Sequence, residues 1–329
     1  MIRTSSMRWL LVMSQIIISL SILVGVRSES FISKKSRIQP QPPQRPKLVT
    51  DAIENDQPIY YFGLGSNMSR KKIENRGING TKIEIQKMEA AVVPNYRLSF
   101  NMRGIPPIEP GMGSLEPIDS GSKSLLTYDR GECHGALIRL TPDNYEKVMR
   151  SEGVGLGKSD QGYEEIIVDA IPYGKSQKQS VKAVALRARD HVRLNYDPRP
   201  SVRYMTILKE GAKELGLLPC YQEFLQKHPV QILTRWQRKL AIYNILFMFS
   251  LSSLLKGYRG LNQFQSRLLF LFYSTEESSL KLTKIASDTM TSLILLPGAV
   301  FGVILYQIMH LSDKKPASVT RLFDLLDKD

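Results

Sequence analysis

The chain has 329 residues with 45 Lys and Arg against 31 Asp and Glu, a formal charge of +14, and is long enough for one sizeable domain with extensions or for two small ones. The basic excess gathers on no folded face. Arg3, Arg8, Arg27, Lys34, Lys35, Arg37, Arg45 and Lys47 oppose only Glu29 near the N-terminus and the rest flanks C-terminal apolar segments, so no nucleic-acid partner is expected.

The only cysteines, Cys133 and Cys220, lie far apart, and His134, His191, His228 and His310 are scattered. That pattern excludes a disulfide framework and a CxxC pair and speaks against a metal hydrolase, and both cysteines read as small buried residues.

Basic residues to Arg8 lead into a mostly apolar run from Trp9 to Val26, broken by Ser14, Gln15 and Ser19, so 1–28 reads as a signal peptide or signal anchor. Residues 29–57 follow as a basic, Pro-rich linker or transit-like segment, because Phe31 to Thr50 contains no acid and cannot bury a core. An apolar signal followed by Phe31 and an acid-free basic stretch resembles the two-part presequence of proteins sent to plastids of secondary algae; a secretory signal with a plain linker is the alternative. The expected location is a membrane of the secretory pathway or of such a plastid.

The apolar segment from Ile59 to Phe62 reads as a strand that runs into Gly63-Leu64-Gly65-Ser66-Asn67-Met68. A turn of that composition can aim several backbone N–H groups at an anion, although ordinary loop chemistry also produces it. Strands are predicted over Lys82 to Val93, Cys133 to Leu140, Tyr163 to Tyr173 and Val181 to Ala188 from their β-branched, alternating character. Thr141-Pro142 supplies an N-cap and first-turn proline for a helix with Tyr145, Val148 and Met149 on its apolar stripe and Gly153 after its end. A second helix is predicted from about Ser201 to Leu215, with Val202, Met205, Leu208, Ala212 and Leu215 on one face and Gly216 as the stop. Mixed strands and amphipathic helices define an α+β domain.

Beyond His228 the character changes. Residues 230–329 are expected to form a membrane-associated tail, a C-terminal transmembrane helix or helical hairpin, with apolar segments 240–255 and 290–309. Leu240 to Leu255 is interrupted by Asn244 and by serines between Ser250 and Ser253, whereas Met290 to Met309 has the length to cross a hydrocarbon layer of about 30 Å. Pro297 and Gly298 inside the second run are tolerated in membrane helices.

The Gly65-Ser66-Asn67 turn is followed by Arg97-Leu98-Ser99-Phe100-Asn101, Gly113-Ser114-Leu115-Glu116-Pro117, Cys133-His134-Gly135-Ala136-Leu137, Ser151-Glu152-Gly153 and Pro200-Ser201-Val202-Arg203-Tyr204. In order and spacing these blocks resemble the gamma-glutamylcyclotransferase family, over Pro58 to His228. The resemblance implies a catalytic domain over 58–229 with a small β-barrel-like sheet flanked by helices, Glu152 as the acid/base, and Leu64, Gly65, Ser66, Asn67 and Tyr204 as substrate contacts. It implies no cofactor or metal and a small-molecule gamma-glutamyl substrate. The family usually places Tyr directly before Gly-Ser-Asn, where this chain has Leu64.

A gamma-glutamyl compound carries its own nucleophile, since its α-amine can close on the γ-carbonyl to give 5-oxoproline and release an amine. The protein must hold the substrate curled and relay protons, and one carboxyl group suffices for the relay. Glu152 falls at a predicted helix C-terminus, where the dipole disfavours negative charge and should raise its pKa. A solvated glutamate at a helix end would look the same in sequence, as Tyr204 could equally be a core tyrosine. The alternative reading is a non-catalytic, membrane-tethered module of the same fold that binds a carboxylate ligand. Asn67-Met68-Ser69 and Asn79-Gly80-Thr81 match the glycosylation acceptor pattern; a glycan on Asn67 would sit in the substrate loop, which favours a final location outside the secretory lumen or an Asn67 too tightly folded to be modified.

Overall fold

The computed structural model describes residues 45–77, 82–105, 107–119, 128, 130–154 and 162–254, together with 292, 295–296, 298–300 and 302–303; side chains are described up to residue 245 and again in the last group. The presequence at 1–28, most of the linker, the Asn79 acceptor site and most of Met290 to Met309 lie outside the described residues.

The elements in chain order are α1 (Lys47–Glu54), β1 (Ile59–Gly63), a 3₁₀ turn (Gly65–Met68), α2 (Arg70–Glu74), β2 (Lys87–Pro94), β3 (Tyr96–Ile105) and β4 (Glu109–Pro117). They continue with β5 (Glu132–Leu140), α3 (Pro142–Ser151), β6 (Tyr163–Pro172), β7 (Val181–Ala188), α4 (Val202–Glu214), α5 (Pro219–Lys227) and α6 (Arg235–Leu254). The expected α+β class and barrel-like sheet are both found. Five strands close a barrel in the order β1-β5-β2-β6-β7. β5 is antiparallel to both β1 and β2, and a parallel contact between Tyr61 and Val184 joins β1 to β7.

Alternation along the strands sorts side chains into two cores, because successive residues point to opposite faces. On β1, Phe62 joins Ala91, Ala170, Ala183 and Ala185, while Ile59 and Tyr61 join Val184, Leu186, Tyr145 and Val148. The alanines on the first of these faces leave room for Phe62, Phe100 and Tyr221, which are fully buried there. The two predicted helices form, the first with its predicted Thr141 cap and the second with Ser201 as a cap that was not predicted. Thr141 Oγ1 accepts from the Asn144 N–H at 3.3 Å, Ser201 Oγ accepts from the Tyr204 N–H at 3.0 Å, and Gly153 and Gly216 follow in left-handed conformation.

Other expectations are corrected. The strand predicted from Lys82 begins at Lys87. The β3–β4 hairpin was not predicted as strands, and neither was α5 as a helix. The hairpin forms its own sheet with a bulge between Ser99 and Met102. Residues 189–194 dock along it, with Leu194 N–H donating to Asn101 O at 2.8 Å and Arg103 N–H to Val192 O at 3.1 Å. One of its faces puts Leu98, Phe100 and Leu115 into the apolar core, and the other, although also buried, is polar. Arg97 pairs with the fully buried carboxylate of Asp197 at 3.5 Å, and Ser99 hydrogen-bonds that carboxylate. Glu116, equally buried, accepts from Ser114 at 2.9 Å, Arg187 at 3.1 Å and Arg193 at 3.5 Å. Ser114 Oγ in turn accepts from the β7 residue Ala188 at 2.8 Å, which ties the hairpin to the barrel.

Cys133 is buried as expected, and burial pushes its thiol up to about 12. Cys220 is only partly buried and lies 3.0 Å from the Tyr128 hydroxyl. The apolar segment 240–255 falls on α6, which opens with Arg235, Arg238 and Lys239. Among the described residues no helix is long and apolar enough to cross a membrane, so the expected C-terminal transmembrane helix is not found among them. Instead Leu240 and Ala241 pack against Leu295 and Ala299, with Ile108 at the margin.

Candidate active site

The site forms where the Gly-Ser-Asn turn leaves β1. Gly65 has φ +67°, and a Cβ placed there would lie 2.6 Å from the Tyr204 hydroxyl oxygen. Glycine is therefore required twice, for a left-handed backbone and for the close approach of a phenol. The turn then coils as a 3₁₀ helix, whose first N–H groups have no partner within the turn; these belong to Gly65 and Ser66, while Asn67 N–H donates back to Leu64 O at 3.3 Å.

Asn67 is the hinge of the arrangement. Its side chain is buried, and its Nδ2 donates to the Tyr61 hydroxyl at 2.7 Å and to Glu152 Oε1 at 3.0 Å. Glu152 is the C-cap of α3, so the Thr141 cap at one end of that helix and Gly153 at the other deliver its carboxylate to the turn. A guanidinium completes the contact. Arg76 Nη1 binds Glu152 Oε1, and Arg76 Nη2 donates to Ser66 Oγ at 2.7 Å. The arginine thus supplies the positive charge that a carboxylate at a helix C-terminus otherwise lacks.

Burial pulls the Arg76 guanidinium below its ordinary value, and the phenols of Tyr61, Tyr204 and Tyr163 around it act the other way. Burial also pushes the Tyr61 and Tyr204 hydroxyls up to about 12 and the Tyr163 hydroxyl well above its ordinary value. All three keep their protons near neutral pH. Gly113 on β4 is held between two of them, its N–H donating to Tyr204 at 2.9 Å and its carbonyl accepting from Tyr163 at 2.9 Å. The hairpin thereby fixes both rings relative to the turn.

Of the site residues predicted from sequence, Gly65, Ser66, Asn67, Glu152 and Tyr204 come together here, and the Leu64 side chain does not. Ser66, Asn67 and Glu152 are linked through Arg76 and the Asn67 amide, and Tyr204 lies against Gly65. Leu64 points into the apolar core with Phe62, Met68 and Leu98, so its side chain takes no part in the polar cluster. The sequence reading missed Arg76, Tyr61 and Tyr163. Arg76 ends a run that includes Arg70, Lys71 and Lys72 and looks like a solvated helix face, and the two tyrosines read as strand core because the direction of a hydroxyl leaves no periodic trace. Among the described residues no group of His, Cys, Asp or Glu is placed to hold a metal ion.

No family model matches the chain. Gamma-glutamyl cyclotransferase gliK of Aspergillus fumigatus is 29% identical over 180 residues, 52% of this chain and 62% of that protein. Gamma-glutamyl cyclotransferase gliK of Claviceps purpurea is 29% identical over 181 residues, 54% of this chain and 76% of that protein. The chain thus spans less than two thirds of the length of the first relative and about three quarters of the second. A solved structure described as a gamma-glutamyl cyclotransferase has 20% identity and a TM-score of 0.40, covering 54% of this chain and 92% of that one; a likeness of that degree does not bear on function. Both of these relatives carry the name gamma-glutamyl cyclotransferase, and the similarity to each extends over about half of this chain.

Proposed function

We propose that the chain is a gamma-glutamylcyclotransferase that converts a gamma-glutamyl amino acid, peptide or amine into 5-oxoproline and a free amine, with Glu152 as general acid and base. The observation that carries the reading is the meeting of the Glu152 carboxylate with the turn, directly through the Asn67 amide and by way of Arg76 to Ser66, which puts a proton acceptor beside a group of donors.

The reaction needs no protein nucleophile. Glu152 takes a proton from the α-ammonium, and the freed amine attacks the γ-carbonyl, forming the ring N–C bond. Negative charge develops on the carbonyl oxygen, where the N–H groups heading the turn at Gly65 and Ser66 are suited to receive it. The exocyclic C–N bond then breaks, and Glu152 returns a proton to the departing nitrogen. Overall the attacking nitrogen loses two protons and the departing amine gains two, so a single carboxyl group working in both directions balances the step. Holding the substrate curled contributes several kcal/mol through proximity, and the phenols of Tyr61, Tyr163 and Tyr204 remain neutral donors throughout.

The test is incubation of the purified full chain with a panel of gamma-glutamyl amino acids, peptides and amines, with 5-oxoproline measured directly. Formation of 5-oxoproline from at least one, lost in Glu152→Gln, is the expected result. Binding of such compounds without turnover would favour a carboxylate-binding module of the same fold, for which Leu64 in place of the usual tyrosine is the supporting observation.

A further inference from the structure

Two groups at the site have chemistry that the cyclisation itself does not use. Arg76 carries two Nη groups aimed at different partners, Glu152 and Ser66. Asn67 spends its Nδ2 on Tyr61 and Glu152, which leaves its Oδ1 a buried acceptor without a hydrogen bond. Because both Nδ2 partners lie at good distance and a carboxylate can only accept, the network fixes which amide atom is oxygen.

We propose that Arg76 is the specificity-determining residue that receives the substrate's α-carboxylate, and that it gives up Glu152 in doing so, leaving Glu152 and Asn67 Oδ1 to receive the α-ammonium. This rests on the cyclotransferase reading above and adds how the site selects the amino-acid end of its substrate.

The argument is one of paired charges. Arg76 and Glu152 form a partly buried ion pair, with side chains 21% and 17% exposed. A ligand carrying a single charge must split that pair and leave one member uncompensated, which is strongly unfavourable in a partly dry site. An α-amino acid end carries both charges on one carbon and can exchange partners with the pair, so that guanidinium meets carboxylate and carboxylate meets ammonium. The Arg76 fork suits a planar carboxylate in bidentate fashion, with Ser66 beside it as a further donor. An ammonium has three N–H donors and no acceptor; Glu152 and Asn67 Oδ1 accept two of them. The exchange also times the chemistry, since Glu152 becomes a free base only when an α-carboxylate has taken Arg76 from it.

Binding and turnover separate this proposal from the one it rests on. Calorimetric titration of the full chain with L-glutamate and with L-glutamate α-amide needs no catalysis. The wild type is expected to prefer L-glutamate by about 10- to 150-fold, the range for hydrogen bonds to a charged group. Arg76→Met should bring the preference within about threefold, and Arg76→Lys should retain part of it, as a point charge without the fork does. With gamma-glutamyl-alanine as substrate, replacing its α-carboxylate by the amide should raise KM and lower kcat together. Equal wild-type affinity for the two ligands, binding of neither, or a folded Arg76→Met variant that keeps the preference overturns the proposal. If Arg76→Met does not fold, undiminished preference in Arg76→Lys together with unequal wild-type affinities lost on Ser66→Ala overturns it as well. A preference for L-glutamate with no 5-oxoproline from any gamma-glutamyl compound would instead sink the cyclotransferase reading and leave the α-carboxylate assignment standing.

Discussion

Gly65→Ala tests whether the turn is held by the close approach of Tyr204. The substitution forces alanine to φ +67°, a left-handed conformation that costs an L-residue about 1–2 kcal/mol. It also places Cβ 2.6 Å from the Tyr204 hydroxyl oxygen, well inside contact, so the phenol must move. Moving it breaks the 2.9 Å hydrogen bond from the Gly113 N–H, and a buried donor left unpaired costs about 1–3 kcal/mol. The sum is about 2–5 kcal/mol, and its two parts are separable. In a Tyr204→Phe background the offending oxygen is already absent, so Gly65→Ala should cost only the backbone share of about 1–2 kcal/mol. Denaturant unfolding of the wild type, both single variants and the double variant gives the coupling. A coupling of at least ~1 kcal/mol is expected, whereas agreement with additivity within about 0.5 kcal/mol would refute the account of why glycine stands at this position.

Glu152→Gln keeps the hydrogen bond from Asn67 but cannot relay a proton and leaves Arg76 without its counter-ion; 5-oxoproline formation should fall by about a hundred- to ten-thousandfold in a protein that still folds, with a lowered melting temperature from the split ion pair, and a near-normal rate in this variant would remove the mechanism. His228 is buried against Phe100, with Nδ1 3.0 Å from the Pro229 carbonyl, and burial lowers it from 6.5 to about 4. Because the unfolded chain then binds the extra proton first, stability should be lost as pH falls from 6.5 towards 4, by on the order of 3 kcal/mol. His134, also lowered by burial, titrates in the same direction, so His228→Phe should flatten the pH dependence of unfolding free energy without abolishing it; an unchanged slope would refute the assignment. Thr141→Ala should destabilise the fold by about 1 kcal/mol through the lost cap of α3, with Thr141→Ser close to neutral, measured by the same unfolding experiment.

The parts of the fold that sequence predicts are those in which burial and periodicity coincide. β5, β6 and β7 alternate or run apolar, and α3 and α4 carry Ser or Thr caps, apolar stripes and terminal glycines, so their bounds follow within a residue or two. The β3–β4 hairpin defeats the same reasoning because Arg97, Ser99, Asn101, Ser114 and Glu116 are buried; residues of those types ordinarily mark a solvated surface, and tertiary ion pairs of Arg97 and Glu116 with hydrogen bonds of Ser99 and Ser114 offset their burial, while the Asn101 side-chain amide has no hydrogen-bond partner among the described residues. At the site, Ser66, Asn67 and Glu152 are legible from motif order. Arg76 is not, since its meaning comes from a contact across 76 positions of sequence, and neither are Tyr61 and Tyr163, whose rings satisfy the apolar pattern while their hydroxyls do different chemistry.

The polar face of the hairpin also bears on how the chain reaches a single arrangement. Apolar strands can slide past one another at modest cost, since one leucine replaces another against the same wall. Here a shift by one position would turn Glu116 away from Arg187 and Arg193 and point an uncompensated carboxylate at the alanine-lined barrel, and would part Ser99 from Asp197. Such a misaligned state carries buried charge without a counter-ion and is disfavoured by several kcal/mol. The ion pairs therefore act as a key that admits only one alignment during folding. Since Gly113 lies on the same strand as Glu116, that key also decides where the two phenols come to rest, well before any substrate arrives.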